Sequence, residues 1–313
     1  MKSAASLGLG FGLLGTSNTA PVSDESAQEI FRCARSLGIN RFDTAPLYGG
    51  GLSEERLGRL LQGVERDSYV LSTKVGRFRP YAARVSNPKD NHGDSYDYSF
   101  DATCRSIEKS LERLGTDRLD IVFIHDCDDH VDEAVSGAWR ALKQMKEQGV
   151  VGRIGCGSNV STTHERLLER VPLDTLMVAN CYSLLQHSAA RRLLPRCMAL
   201  GTEVELAAPF NSGILATGPD DPLARYDYAV APATVRERVR QIADVCQQHG
   251  VSLKQAALHY CARHPAVHRL ILGLAEPAQL MSNQQDLQSL IPYALWDALD
   301  DIGVENPLKE PVA

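Results

Sequence analysis

The sequence predicts a single α/β domain over residues 1–313, folded as a (β/α)8 TIM barrel. Short apolar runs alternate eight times with helix-like stretches along the chain, which is the repeat of βα units. The runs are apolar on both faces, as in Ile121-Val122-Phe123-Ile124, and this is typical of buried parallel strands. No shift in composition or low-complexity linker marks a second domain. A doubly wound sheet of eight strands is the competing topology.

The first half of the chain holds four of these units. Ser23 and Ser53 can each cap a helix, because a serine hydroxyl accepts hydrogen bonds from the free N–H groups of a first turn. Gly38, Gly115 and Gly149 follow helical stretches, where glycine readily adopts the left-handed conformation that ends a helix. The predicted strands are 7–12, 41–44, 69–74 and 119–125, and the predicted helices are 24–37, 54–62, 101–114 and 132–148.

The second half repeats the alternation. The predicted strands are 154–158, 175–179, 203–208 and 270–273, and the predicted helices are 163–169, 188–199, 233–249, 253–262 and 277–287. Near the start of the chain, Gly10, Gly12 and Gly15 spell G-x-G-x-x-G. They run into a loop at 16–21, and the next predicted helix starts only at Ser23, so we do not interpret them as a Rossmann fingerprint.

Composition excludes several classes of protein. With 43% hydrophobic and 23% charged residues, the chain is not a disordered or fibrous protein. A formal net charge of −6 argues against nucleic acid as the main partner. No apolar run reaches the roughly 20 residues that span a membrane, and the apolar stretch 4–15 is too interrupted by glycine for a secretory signal. Eight scattered cysteines without a C-x-x-C pair indicate reduced thiols and a cytoplasmic protein.

In a barrel, functional residues lie where strands end and βα loops begin. Three successive strands end near an acid, a phenol, an amine and an imidazole: Asp43, Tyr48, Lys74 and His125. An ammonium next to a phenol favours the phenolate, and a carboxylate holds that ammonium in place. These groups can move a proton to or from a carbonyl/alcohol couple. None of them donates a hydride, so the pattern predicts a hydride-carrying cofactor.

The motifs that carry these residues resemble the aldo-keto reductase family from about residue 6 to 290. They are Phe42-Asp43-Thr44-Ala45 with Tyr48-Gly49 and Ser53-Glu54, Ser72-Thr73-Lys74, and Gly155-x-x-Ser158-Asn159. The resemblance implies a barrel that binds a nicotinamide cofactor, the catalytic set named above, and Ser158 and Asn159 at the nicotinamide amide. It also implies a pyrophosphate loop within 209–218 and an adenosine site within 273–283. The further cofactor-binding residues expected there are Pro209, Phe210, Asn211, Ser212, Gly213, Leu215, Gly273, Glu276, Gln279 and Asn283.

The sequence departs from the family pattern at the nicotinamide face. Ala179 stands where the family usually has a glutamine, with Asn180 beside it, and Ala207 stands where an aromatic usually stacks on the ring. Phe210 is a candidate to cover that face. No basic residue follows the last strand between Gly273 and Glu276, which favours NAD over NADP, since an NADP site generally supplies a cation for the 2′-phosphate.

Within the family, the chain resembles enzymes that oxidise sugars at C1, on the residues 125–126, 209–218 and 226–229. The implied reaction oxidises an aldose of the L-fucose, L-galactose or D-arabinose type to its lactone. Substrate contacts are expected from Asp126 and Arg77 as well as from Tyr48 and His125. A segment at 77–98 between the third strand and its helix is a candidate substrate flap. We expect a monomer or a small homo-oligomer.

Other interpretations stay open at this point. Pyridoxal, as its cyclic hemiacetal, presents the same reacting group, so a pyridoxal 4-dehydrogenase is an alternative. An NADPH-dependent aldehyde or ketone reductase and a non-catalytic, redox-sensing regulatory subunit are others. The run 125–130 mixes histidine, aspartate and cysteine, but its spacing is too crowded for a metal site. Asp128 and Asp129 are expected to lie in a solvated loop.

Overall fold

The computed structural model describes residues 5–15, 22–78, 94–306 and 308. Its centre is a closed barrel of eight parallel strands, with each strand hydrogen-bonded to two neighbours. In order around the barrel, the strands are β1 (Ser6–Gly10), β2 (Arg41–Asp43), β3 (Val70–Val75), β6 (Leu119–His125), β7 (Val151–Ser158), β8 (Thr175–Ala179), β9 (Glu203–Ala207) and β12 (Val267–Gly273). The (β/α)8 prediction is confirmed.

Helices surround the barrel. They are α1 (Gly12–Gly15), α2 (Asp24–Ser36), α3 (Leu52–Leu61), α4 (Phe100–Leu114), α5 (Val131–Glu133), α6 (Trp139–Glu147), α7 (Ser161–Leu168), α8 (Leu193–Leu200), α9 (Ile214–Thr217), α10 (Ala233–Gln248), α11 (Leu253–Ala262), α12 (Pro277–Gln288) and α13 (Ala294–Asp301). Two antiparallel ribbons lie outside the barrel. They pair β4 (Arg77–Phe78) with β5 (Ser95–Tyr96), and β10 (Arg225–Tyr226) with β11 (Ala229–Val230).

Several predicted boundaries need correction. Ser53 does not cap its helix, because α3 begins earlier and its N-cap is Gly51. The hydroxyl of Ser53 instead donates to the Phe11 carbonyl at 3.0 Å and joins the barrel to α3. The predicted helix 132–148 is interrupted by one wide turn at Ala134–Ala138, and the predicted helix 188–199 begins only at Leu193. The sequence pattern does not predict either ribbon or α13.

Apolar side chains fill the middle of the barrel. Ile121, Phe123, Met177 and Ile271 are at most 5% exposed and pack together there. Gly155 makes room for this packing, because a Cβ atom at its position would lie 2.5 Å from the Thr175 carbonyl oxygen and 2.6 Å from the Phe123 ring. A second, larger core lies between the outer faces of the strands and the helices.

The N-terminal end of the barrel is closed by three charged side chains, which we call the floor triad: Arg41, Glu205 and Arg269. Arg41 donates from Nε and Nη2 to the two oxygens of Glu205, at 2.8 and 2.5 Å, and Arg269 adds a bond at 3.3 Å. Arg41 is wholly buried and Glu205 is 2% exposed. Burial opposes the charge on Glu205, but the two guanidinium groups outweigh it and hold the pKa of that carboxyl below its usual range.

Candidate active site

Alternation along β2 turns Asp43 into the C-terminal mouth of the barrel. Its neighbour Phe42 points outward, where its ring centroid lies 5.1 Å from that of Phe31 on α2. Inside, Ser72 Oγ donates to Asp43 Oδ1 at 2.5 Å, and Lys74 Nζ donates to Asp43 Oδ2 at 2.6 Å. Both carboxylate oxygens therefore have partners, and the carboxylate is fixed against β3.

Lys74 brings its ammonium to the phenol of Tyr48. Its side chain is 1% exposed, and its Nζ also donates to the Thr44 carbonyl at 2.8 Å. The same nitrogen lies 4.8 Å from the centroid of the Tyr48 ring. Burial lowers the pKa of Lys74, while Asp43 opposes this change. The ammonium is thus held between a carboxylate and a phenol, as the sequence predicts.

A glycine-rich turn places Tyr48. Gly49, Gly50 and Gly51 have φ angles of 66°, 63° and 98°, all in the left-handed region that L side chains rarely adopt. Three such residues in succession let the chain turn sharply from β2 into α3. On the other side of the Tyr48 ring, Gly12 leaves only van der Waals room, since a Cβ atom there would lie 3.6 Å from the ring.

The surroundings of Tyr48 make its phenol less acidic. Its pKa is raised well above the ordinary value, first because the phenol is buried and then because Asp43 and Asp126 disfavour a phenolate. The phenol carries its proton at neutral pH, and a phenolate becomes available as the pH rises.

His125 completes the group from the end of β6. Its ring lies edge-on to the ring of Tyr48, with centroids 6.1 Å apart and an angle of 87° between the planes. Burial, Lys74 and Arg77 lower the pKa of His125 well below its ordinary value, so the imidazole is neutral. Its Nδ1 is buried and has no hydrogen-bond partner among the described residues. Such a ring can hold a reacting oxygen by a neutral hydrogen bond.

An ion pair borders the mouth next to His125. Arg77 Nη1 donates to Asp126 Oδ2 at 2.5 Å, and Arg77 Nη2 donates to Asp94 Oδ2 at 2.8 Å. Asp126 Oδ2 also lies 3.5 Å from His125 Nε2. The buried hydroxyl of Tyr98 donates to the His125 carbonyl at 2.6 Å and so supports the strand end. Arg77 and Asp126, which the sequence predicts as substrate contacts, are therefore paired at the rim.

The ribbon of β4 and β5 carries this arginine. The sequence predicts a loop over 77–98, and the ribbon forms the first and last parts of this segment. Residues 79–93 lie outside the described part of the chain. On the ribbon, the Tyr96 ring stacks on His130 with centroids 5.5 Å apart. The Arg77 guanidinium lies 5.7 Å from the centre of the same Tyr96 ring. The ribbon thus fixes the direction of Arg77 toward Asp126.

Ser158 and Asn159 lie at the end of β7, as predicted, but the hydroxyl of Ser158 is largely occupied. It donates to Asp128 Oδ1 at 2.7 Å and accepts from the Val160 N–H at 2.9 Å. Thr163 also donates to Asp128 Oδ1, at 2.6 Å. Asp128 is therefore an anchor between two loops and not a solvated residue, which corrects the prediction. Ser158 keeps one lone pair that can accept from an amide.

Asn180 lies beside this pair and was noted in the sequence only as a neighbour of Ala179. Its Nδ2 donates to Asn159 Oδ1 at 2.9 Å, whereas its Oδ1 is buried and has no partner among the described residues. Ala179 and Ala207 end β8 and β9 with small side chains, and Gly157 is the next-to-last residue of β7. A free buried acceptor beside such small residues fits a flat ring that carries a primary amide, as nicotinamide does.

The loop after β9 forms a compact turn. Asn211 and Ser212 have φ angles of 46° and 63°, and Ser183 Oγ donates to the buried Asn211 side chain. Leu215 is wholly buried, and its N–H already donates to the Phe210 carbonyl at 3.2 Å. Of the residues predicted to contact a pyrophosphate, Pro209, Phe210 and Gly213 lie in this turn as well. Leu215 is left with little to offer a cofactor.

The predicted adenosine segment begins α12. The side chains of Glu276 and Gln279 cap the helix reciprocally, and Gln279 Oε1 also accepts from the Ala275 N–H at 2.9 Å. Asn283 is 2% exposed, and its Oδ1 is buried without a partner among the described residues. Gly273 ends β12 in register with Gly10. The free acceptor of Asn283 fits an amino group such as that of adenine.

A separate groove of about 890 Å³ lies at the opposite end of the barrel, between the C-terminal ends of α3 and α4. Arginines line it, but they are paired within the chain. Arg66 pairs with Asp120, at 2.9 Å. Arg113 pairs with the buried Glu54, at 2.6 Å. We therefore assign the groove no role in the chemistry.

Two kinds of feature are absent from the described ranges. Within 5–15, 22–78, 94–306 and 308, no cluster of three or more histidine, cysteine or acidic side chains is arranged to hold a metal ion. No helix in that part of the chain is long and apolar enough to cross a membrane. All eight cysteines lie in the described part, and they are free thiols.

The chain is similar to known proteins over most of its length. The chain is 37% identical to a D-threo-aldose 1-dehydrogenase of Pseudomonas sp., over 93% of this chain and 92% of the relative. It is 33% identical to a pyridoxal 4-dehydrogenase of Microbacterium luteolum, over 95% of this chain and 94% of that relative. The structure of an aldo-keto reductase from Bacillus halodurans superposes with a TM-score of 0.77 at 24% identity, covering 96% and 93% of the chains. With residues 6–303 matching the family model as well, the chain belongs to the aldo/keto reductase family.

Proposed function

We propose that the protein oxidises an aldose at C1 to its lactone and passes the hydride to a nicotinamide cofactor, with NAD preferred over NADP. The observation that supports this proposal is the polar rim beside Tyr48 and His125. Asp126 and Arg77 present a carboxylate and a guanidinium within reach of His125. Such groups suit a substrate with several hydroxyls better than an apolar carbonyl compound. The D-threo-aldose 1-dehydrogenase relative supports the same substrate class.

Each residue of the site has a part in this reaction. Tyr48, as the phenolate, takes the proton of the anomeric hydroxyl, and neutral His125 holds the oxygen of that hydroxyl in place. Lys74 stabilises the phenolate, and Asp43 keeps Lys74 charged and oriented. Ser158, Asn159 and Asn180 would hold an oxidised nicotinamide, which would supply the acceptor for the hydride of C1. Loss of one proton and one hydride converts the cyclic aldose into a lactone, so the reaction balances.

The cofactor preference rests on the surroundings of α12. The segment from Gly273 to Asn283 has no basic side chain of its own. Lys254 of α11 reaches Ser282 at 2.6 Å, but its ammonium is paired with Asp286 at 2.9 Å. A 2′-phosphate would therefore have to compete with a carboxylate for this cation. The exposed Glu276 carboxylate would also repel that phosphate, whereas it could accept hydrogen bonds from a ribose diol.

Pyridoxal is the second candidate substrate, because one relative of similar identity is a pyridoxal 4-dehydrogenase. Its cyclic hemiacetal offers the same hydroxyl to Tyr48 and His125. A reductase using NADPH is less well supported, because the ammonium of Lys254 beside α12 is already paired with Asp286. The alternative that is not an enzyme is a redox-sensing regulatory subunit without turnover.

An assay of the purified protein separates these candidates. NAD or NADP is mixed with L-fucose, L-galactose, D-arabinose, D-glucose or pyridoxal, and the absorbance of the reduced nicotinamide is followed. We expect NAD reduction with aldoses that share one configuration at C2 to C4, and slower reduction of NADP. Turnover of pyridoxal alone would transfer the chemistry to that substrate. Absence of turnover on every pair, with NAD still bound, would contradict the proposed dehydrogenase.

The raised pKa of Tyr48 predicts a pH profile. Below that pKa, the phenolate fraction rises about tenfold per pH unit, so kcat/KM for oxidation should increase with pH.

Lys74→Met removes the charge that stabilises the phenolate, and we expect kcat/KM at pH 8 to fall about 10²-fold or more. Lys146→Met is the matched control, because Lys146 forms its ion pair with Asp174 on the surface. A Lys74→Met rate within about threefold of wild type would contradict the role of Lys74.

A further inference from the structure

The ribbon of β10 and β11 presents a tyrosine in an unusual backbone conformation. Tyr228 and the preceding Asp227 form its turn, with φ angles of 64° and 50°. Left-handed φ is rare for a bulky aromatic residue and costs on the order of 1–3 kcal/mol, so the surroundings must hold it. They do so at both backbone groups, because the Tyr228 N–H donates to Ser212 Oγ at 2.9 Å and Arg225 Nη2 donates to the Tyr228 carbonyl at 2.6 Å.

The strained turn sends the phenol of Tyr228 toward the mouth of the barrel. Its hydroxyl oxygen accepts from Asn180 Nδ2 at 3.3 Å, at the end of β8. Burial raises the pKa of Tyr228 to about 12, and the neighbouring Tyr48 contributes to this rise. Tyr228 therefore approaches the catalytic phenol from a ribbon outside the barrel.

The hydroxyl of Tyr228 has bonding capacity to spare. Since it accepts from Asn180, its own proton is free to donate, and no acceptor for that proton is found among the described residues. Across the mouth, Asp126 and Arg77 border the site from β6 and from the other ribbon. A ring bound over Tyr48 would thus meet polar groups from both ribbons.

We propose that Tyr228 is a specificity-determining residue, whose O–H donates a hydrogen bond to a ring hydroxyl of the aldose. The inference rests on the proposed function and adds to it the contact that selects among aldoses. Tyr228 takes no part in the proton transfer. Its loss should therefore weaken substrate binding while the chemical step and cofactor binding stay nearly unchanged.

The test compares Tyr228→Phe with wild type on the best aldose of the panel and on its 2-deoxy, 3-deoxy and 4-deoxy analogues. We expect KM for the parent sugar to rise about tenfold, the effect of one lost hydrogen bond, with kcat and the dissociation constant of NAD within about threefold. For one deoxy analogue, the variant and wild type should have equal KM, because the partner hydroxyl is already absent.

Tyr226→Phe is the matched control. Tyr226 belongs to the same ribbon, and its hydroxyl accepts from Gln186 Nε2. If both variants raise KM alike, or if Tyr228→Phe weakens all analogues equally, the ribbon is only structural and the inference is overturned. An unchanged KM in Tyr228→Phe also overturns it and leaves the proposed function intact. A wild-type protein that oxidises no aldose overturns both.

Discussion

Tyr48→Phe should lower kcat for aldose oxidation by about 10³-fold or more, while the dissociation constant of NAD stays within about threefold. A positioned general acid or base contributes typically about 10²–10⁴-fold to a rate, and the two groups beside the Tyr48 phenol are poor replacements for it. Lys74 is committed to Asp43 and Thr44, and the lowered pKa of His125 makes its imidazole a weak base. Steady-state kinetics and isothermal titration calorimetry with NAD measure the two quantities.

The control for this variant is Tyr96→Phe. Tyr96 stacks on His130 through its ring, which phenylalanine retains, so its activity should remain that of wild type. Melting temperatures of both variants exclude a general loss of structure. A Tyr48→Phe protein with more than a tenth of the wild-type kcat would remove Tyr48 from the proton-transfer step.

Glu205→Ala should lower the free energy of unfolding by about 3–5 kcal/mol, the usual cost of removing one partner of a buried ion pair. Arg41 would keep its charge inside the barrel with only the Phe42 carbonyl as an acceptor, at 2.6 Å. Urea unfolding at neutral pH, followed by circular dichroism, measures the change. Glu203→Ala on the same strand is the matched control. Glu203 pairs with Arg153 and is about half exposed, so its loss should cost less than about 1 kcal/mol.

The floor triad also predicts a pH dependence. Because the pKa of Glu205 is lower in the folded than in the unfolded protein, its contribution is complete above the unfolded-state pKa of about 4.3. The contribution is lost as the pH falls through the folded-state pKa. Wild type should therefore lose more stability than Glu205→Gln between pH 6 and pH 3. Equal losses in the two proteins, or a Glu205→Ala cost no larger than that of Glu203→Ala, would contradict the assignment.

The barrel could be predicted because its signal is repeated eight times and each repeat is local. Apolar runs such as 121–124 are short and have helical stretches on either side. Boundaries were less predictable, since tertiary contacts decide them. Ser53 has the chemistry of an N-cap, yet its hydroxyl bonds to Phe11 across the barrel because three glycines already turn the chain into α3.

The clustering of Asp43, Tyr48, Lys74 and His125 was also predictable from sequence, because the ends of successive parallel strands meet at one face. The rest of the mouth depends on contacts distant in sequence. Asp128 looks like one of a row of loop acids, and only the fold brings Ser158 and Thr163 to it. The turn at Asp227 and Tyr228 has no glycine, so no local signal marks its left-handed conformation. The raised pKa of Tyr48 reflects its burial, which a motif does not report.

The charges at the barrel floor also restrict the order in which the chain can assemble. Arg41 enters with the second strand, whereas Glu205 follows 164 residues later and Arg269 comes later still. A nascent or truncated chain that ends before β9 would lack the carboxylate that accepts from this guanidinium. The ion pair of Arg41 therefore forms only when the ring closes, and both halves of the barrel gain from that closure.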